Sequence, residues 1–221
     1  MSKKVADMTA KERRQLIQRW IGAPQSGDLN DPVTVSELLK DVTGLQGYLI
    51  DRDKPKAAKV PVLPGFKEVE HSTPNKGGAI LPKGIVFHHS AGSFAGSLDW
   101  IKRKESQVSY NVLIHPDGTR HNVVPLRRLA WHAGKSKFMG KSGCNGFMLG
   151  VAFSGDTYKR TLTDAEIASA VEFFLKHREE FSWKLSWMTD HRTVSPGRKN
   201  DLNPSEWSRL RDALIATGVK S

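Results

Sequence analysis

The chain has one cysteine, Cys144, so no disulfide can close within it. It has no run near the ~18 apolar residues that a bilayer-spanning helix needs. The opening stretch, MSKKVADMTAKERR, has no apolar segment behind its lysines, and a secretory signal is not expected. Acidic residues are few beside basic ones, 23 against 34. No internal repeat is legible. What is present is ordinary globular material: 38% hydrophobic and 26% charged residues exclude a disordered or collagen-like chain. At 221 residues the chain is one full domain with room for a small second one.

The charge is unevenly placed. Of the net +11, a net +9 lies in residues 71–221, which hold 22 basic and 13 acidic side chains. A basic surface raises the encounter rate with polyanions: nucleic acid, an anionic membrane face or an anionic cell wall. No nucleic-acid motif and no regular basic–aromatic interleaving accompanies it, so specific nucleic-acid binding is not expected.

Residues 1–50 read as a small helical module. Thr9 and Glu12 form a capping box, followed by Leu16, Ile17, Trp20 and Ile21 at helical spacing. Asp31-Pro32 starts a second helix carrying Val35, Leu38, Leu39, Val42 and Leu45. Residues 51–75, charged and punctuated by proline and glycine, read as a linker with an irregular lead-in.

From residue 76 the texture is that of an α/β domain. Gly84–Phe87 is a buried-strand run ending at His88-His89, and residues 97–104 suggest a helix. Val108–Ile114 and His121–Val124 predict a hairpin about the Pro116–Thr119 turn. Met148–Phe153 is another strand. Thr163 and Glu166 form a capping box ahead of Ile167, Ala170, Val171, Phe174 and Leu175. Leu185–Thr189 predicts a short strand, and Asn203-Pro204 opens a last helix with Trp207, Leu210 and Leu214 on one face. The alternation implies a mixed central β-sheet flanked by helices.

His88-His89 and His191 sit at predicted strand ends, and Asp201 lies ten residues beyond His191. His88-His89, His191 and Asp201 offer two imidazoles and a carboxylate, a recognised catalytic zinc set with one position left open. His88 and His89 point to opposite faces of a strand, so only one can be the ligand. Ser195-Pro196-Gly197 forces a turn that can aim His191 and Asp201 at one point. Lys199 shares a side with Asp201 if that stretch is extended, and a cation there suits an oxyanion. Tyr110, His132 and Asn145 each allow a bland reading too: a half-buried strand residue, a loop hydrogen bond and a turn cap. Cys144 reads as a small buried hydrophobe.

The ordered set Ile85–Ser90, Val108–Ile114 with Asp117-Gly118-Thr119, Ala130–Gly134, Asn145 with Leu149–Phe153, and His191–Asp201 resembles the zinc-dependent N-acetylmuramoyl-L-alanine amidases, which share a fold with phage amidase lysozymes and peptidoglycan recognition proteins. The resemblance spans about residues 80–217. It implies His88, His191 and Asp201 as ligands of one Zn2+, Tyr110 and Lys199 as catalytic groups, and His132 and Asn145 as substrate-binding groups. The chain departs at Asn111, where many relatives have His, and near Phe153, where other branches carry a Glu. Those departures leave Tyr110 and Lys199 as the favoured catalytic pair. The N-terminal module loosely resembles three-helix peptidoglycan-binding modules of wall hydrolases. Together these imply an endolysin-like, monomeric peptidoglycan hydrolase, made in the host cytoplasm and acting on the wall after release. The alternative is a non-catalytic peptidoglycan receptor on the same fold.

Overall fold

The computed structural model describes residues 65–219, so the expected helical module at 1–50 and most of the expected linker lie outside the described residues. Its centre is a six-stranded sheet in the order β1-β5-β4-β9-β3-β10. These strands are β1 (Glu68–Glu70), β3 (Ile85–His89), β4 (Val112–Ile114), β5 (Arg120–Asn122), β9 (Leu149–Phe153) and β10 (Met188–Asp190). Only β4 and β5 pair antiparallel; the other neighbours run parallel, which makes the sheet mixed. Two ribbons stand apart: β2 (Lys76–Ala79) with β6 (Arg128–Ala130), and β7 (Lys137–Phe138) with β8 (Lys141–Ser142). The helices are α1 (Phe94–Lys102), α2 (Asp164–His177), the single turn α3 (His191–Val194) and α4 (Pro204–Ala216). No helix among the described residues is long and apolar enough to cross a membrane.

Strand alternation sorts the side chains. Ile85 and Phe87 of β3, Val112 and Ile114 of β4, and Leu149, Val151 and Phe153 of β9 face one side. There they pack on Ala170, Phe173 and Phe174 of α2 and on Leu210 and Leu214 of α4. Burying each large side chain is worth about 1.5–3 kcal/mol, so this layer is the main source of stability. The opposite face is covered in two patches. Leu113 and Ala152 lie under Ile101 of α1, while Val86 packs on Ala133, Met148 and Val194. His88, two residues beyond Val86 on β3, falls on this second face, over which a cavity opens.

Local chemistry explains the elements. The Thr163–Glu166 capping box is formed in both directions, and Ser93 caps α1 through Gly96 N. Gly84 cannot carry a side chain, because a Cβ there would lie 2.1 Å from the Trp187 carbonyl oxygen. Some expectations shift. The strand predicted from Val108 starts at Val112, because Gln107 turns left-handed (φ 48) and Ser109 bonds out of register, its N–H to the Trp131 carbonyl. The last short strand starts at Met188, after a 3-10 turn over Leu185–Trp187. Part of the expected linker is structured: β1 is an edge strand of the main sheet, paired in parallel with β5. The fully buried Arg120 holds it there, binding Glu68 of β1 at 2.9 Å and Glu172 of α2 at 2.7 Å.

Candidate metal centre and its cavity

β3 and β10 are adjacent parallel strands with Phe87 level with Asp190. The next residue on each is therefore a neighbour of the other, and those residues are His88 and His191. Asp190 caps α3 by accepting from Thr193 N at 2.9 Å, which fixes His191 as the first residue of that turn. The chain then reverses through Ser195-Pro196-Gly197, with Gly197 at φ 74. Arg198 and Lys199 both donate backbone N–H groups to the Ser195 carbonyl, and Arg192 N donates to the Asp201 carbonyl at 2.7 Å. That last bond brings Asp201 back beside His191, as the turn-forming sequence implied.

The result is a triangle of donor atoms. His88 Nδ1 lies 3.0 Å from His191 Nδ1 and 3.2 Å from Asp201 Oδ2, and His191 Nδ1 lies 3.1 Å from Asp201 Oδ2. Ligands about 2.0–2.2 Å from a tetrahedral Zn2+ stand roughly 3.3 Å apart, so the triangle has the size such an ion needs. These three are the one cluster of this kind among the described residues, and each is buried. His89 also borders the cavity but takes no part in the triangle: its Nδ1 is 2.8 Å from Thr157 Oγ1, and its ring packs on Tyr158.

The electrostatics match a ligand set. Burial, with repulsion from His191, lowers the His88 pKa to about 4 against the pull of Asp201, so the ring is neutral at pH 7. Burial would raise the Asp201 carboxyl, but the His191 and His88 rings against it outweigh that and hold it well below the usual carboxylate range. Loss of solvation, then the Asp201 charge, push the Tyr110 phenol above its ordinary value. Burial and the neighbouring His88 push His132 well down.

A cavity of ≈ 320 Å³ opens over this face, lined among others by Tyr110, Lys199, His132, His191 and Asp201. A second of ≈ 500 Å³ adjoins it, with Asn145, Trp131 and Arg198 in its wall. The two share Val108, His132 and Lys199. The Tyr110 ring packs against His88 with centroids 5.3 Å apart. His132 and Asn145 stand in the walls, yet both are engaged inward. His132 Nδ1 is 3.0 Å from His88 Nε2 and its Nε2 is 3.2 Å from the Met148 carbonyl. Asn145 Oδ1 accepts from the backbone N–H groups of His132 and Ala133.

Other groups left little trace in the sequence. Asn111, a point of departure in the sequence resemblance, is a backbone brace: its Oδ1 accepts from Gly150 N and its Nδ2 reaches the Val124 and Arg128 carbonyls. Gly150 was part of a strand pattern with no role attached. The carbonyls of Met148 and Ala133 have no sequence signal at all. Cys144 is buried and its thiol is pushed up by that burial, in keeping with a small hydrophobe.

Two imidazoles at the C-terminal ends of adjacent parallel strands and a carboxylate brought in by the loop after α3, with one side open to a cavity, are a donor set able to hold one metal ion, of the kind found in hydrolases. The model of N-acetylmuramoyl-L-alanine amidases matches residues 78–204, more than half of the chain, and the chain belongs to that family. The 1,6-anhydro-N-acetylmuramyl-L-alanine amidase AmpD of Citrobacter freundii is 36% identical over 116 residues, covering 52% of this chain and 61% of that protein. The N-acetylmuramoyl-L-alanine amidase AmiD of Escherichia coli K12 is 27% identical over 144 residues, 58% of this chain and 51% of that protein. The chain thus spans about 61% of the length of the AmpD relative and about 51% of AmiD. Among solved structures, a selenomethionine AmpD derivative superposes with TM-score 0.53 at 25% identity, covering 69% of this chain and 96% of that one. A mutant endolysin from Bacillus subtilis superposes with TM-score 0.55 at 17% identity, covering 68% and 99%, and shares the fold.

Proposed function

We propose that this protein is a Zn2+-dependent hydrolase of the amide joining N-acetylmuramic acid to L-alanine in peptidoglycan. The observation that carries the reading is the buried His88–His191–Asp201 triangle facing a cavity that also holds Tyr110 and Lys199. The bond is the one that the names of the AmpD and AmiD relatives share. Held by the three side chains, Zn2+ would supply Lewis acidity and make hydroxide available near neutral pH.

The chain's own groups do the rest. Tyr110, kept protonated by its surroundings, donates a hydrogen bond to the oxygen that gains charge as the amide carbonyl is attacked. Lys199, an ammonium at the junction of the two cavities, favours negative charge on the same side. The leaving amine needs a proton, and the one released as the attacking water becomes hydroxide balances it, relayed through water in the open cavity, because a phenol held above its ordinary value is a poor acid. His132 is withdrawn from proton transfer, since both its ring nitrogens are already bonded. The two adjoining cavities supply room for the sugar on one side of the scissile bond and the peptide stem on the other.

The test is direct. Zinc-loaded full-length protein incubated with muropeptides should expose a new L-alanine amino terminus, and a chelator should stop the release until zinc is restored. Loaded protein that binds muropeptides and leaves the muramoyl–alanine bond intact would sink the catalytic reading in favour of a receptor.

A further inference from the structure

The hydrogen bonds behind the two histidines fix which nitrogen of each ring is free. A carbonyl oxygen can only accept, so His132 Nε2, 3.2 Å from the Met148 carbonyl, carries its proton. His132 Nδ1 is then a bare acceptor, and His88 Nε2, 3.0 Å away, must donate to it. His88 Nδ1 is left with a lone pair. The same holds across the site: His191 Nε2, 3.3 Å from the Ala133 carbonyl, donates there and leaves its Nδ1 bare. Three lone pairs thus converge within 3.0–3.2 Å of one another, which a shared cation makes favourable.

Both acceptors come from consecutive residues, one through a side chain and one through a carbonyl. Their backbone N–H groups donate to a single atom, Asn145 Oδ1, at 3.2 and 2.7 Å. Space for the His132 ring is provided by β9, where a Cβ on Gly150 would lie 2.5 Å from His132 Cγ. Acceptor, clamp and clearance all serve the same aim.

We propose that His132-Ala133, clamped by Asn145 and admitted by Gly150, is a bracket that sets the tautomer and direction of both imidazoles of the metal site. His132 and Asn145 are on this view positioning residues and not substrate contacts. The inference rests on the metal reading above and deepens it. A substrate group could use His132 only by displacing one of two bonds on which a ligand depends. The choice of imidazole as acceptor has a chemical effect as well. A carboxylate behind His88 would add a second negative charge beside Asp201 and make the ligand more basic; a neutral ring orients it without that charge and leaves the ion more electrophilic.

The experiment uses the full chain, with Zn2+ affinity read by competition against a chromophoric chelator and ligand geometry read from the Co2+ absorption spectrum. His132→Phe keeps a ring and removes the acceptor; His132→Gln retains an acceptor oxygen. Asn145→Ala removes the clamp; Asn145→Asp keeps its oxygen. His132→Phe and Asn145→Ala should weaken Zn2+ by about 10–100-fold and alter the Co2+ spectrum. His132→Gln and Asn145→Asp should recover part of both, and KM at saturating zinc should stay near the wild-type value. Wild-type affinity and spectrum in His132→Phe and Asn145→Ala, with a raised KM, would overturn the bracket and restore the substrate role. If His132→Phe fails to fold, the Asn145 pair decides in the same way. A wild-type chain that takes up no divalent ion would instead remove the metal reading itself, a result distinct from failure of the bracket.

Discussion

At the scale of the residue, burial separates the candidate metal ligands from the groups proposed to react. His88, His191 and Asp201 are almost wholly excluded from solvent, whereas Lys199 is exposed and Tyr110 half-buried at the cavity wall. Removing a ligand and removing a reacting group should therefore look different. His88→Ala and Asp201→Ala should each lose both the ion, by elemental analysis, and turnover. Tyr110→Phe should keep the ion while kcat falls by about 10²–10³-fold, the usual cost of one donor to a developing oxyanion. Because the Tyr110 phenol is shifted above its ordinary value, its loss of a proton should not limit the rate at neutral or moderately basic pH. A pH–rate profile measured on the wild type and on Tyr110→Phe checks this: the basic limb should be the same in both.

At the scale of the element, the legible parts were those whose signal is local. The Thr163–Glu166 capping box, the buried runs at Ile85–Phe87 and Leu149–Phe153, and the Asn203-Pro204 start are all set by nearest neighbours, and the structure keeps them. The fold class was legible for the same reason, as were His88 and His191 at predicted strand ends, while Asp201 was legible through the Ser195-Pro196-Gly197 turn that returns it to them. β1 was not, because Glu68-Val69-Glu70 carries one apolar side chain, and its place is fixed by Arg120, 52 residues away. The bracket at His132-Ala133 was hidden more deeply, since its partners are backbone carbonyls. Two predictions belong here. Gly84→Ala forces β3 away from Trp187 and should cost about 1–3 kcal/mol or more, read as a lower urea midpoint. Glu68 gives a pH signature. Burial acts to raise its carboxyl, but hydrogen bonds from Lys176 and Arg120 outweigh that and lower it from 4.5 to about 2. Its contribution is present above pH 4.5 and is lost as pH falls towards 2, so the Tm of the wild type should drop more steeply over that window than that of Glu68→Gln.

At the scale of the whole molecule, a net charge of +11 sits on a chain whose proposed substrate is embedded in an anionic wall. Attraction of that kind is screened within about 10 Å at 0.1 M salt. Sedimentation with purified wall fragments should accordingly weaken as salt is raised from 0.05 to about 0.5 M, while turnover of a small soluble muropeptide changes much less. Equal salt sensitivity of the two would place the charge effect inside the cavity and not on the surface.

The central sheet ties together parts of the chain that are made at very different times. His88 meets His191 across 103 positions and Asp201 across 113, through parallel pairings that no short hairpin can pre-form. Such long closures come late in folding. A nascent chain that stops short of Asp201 therefore lacks one of the three donors of the candidate metal site. The three-donor cluster is complete only once the chain beyond β10 has been made.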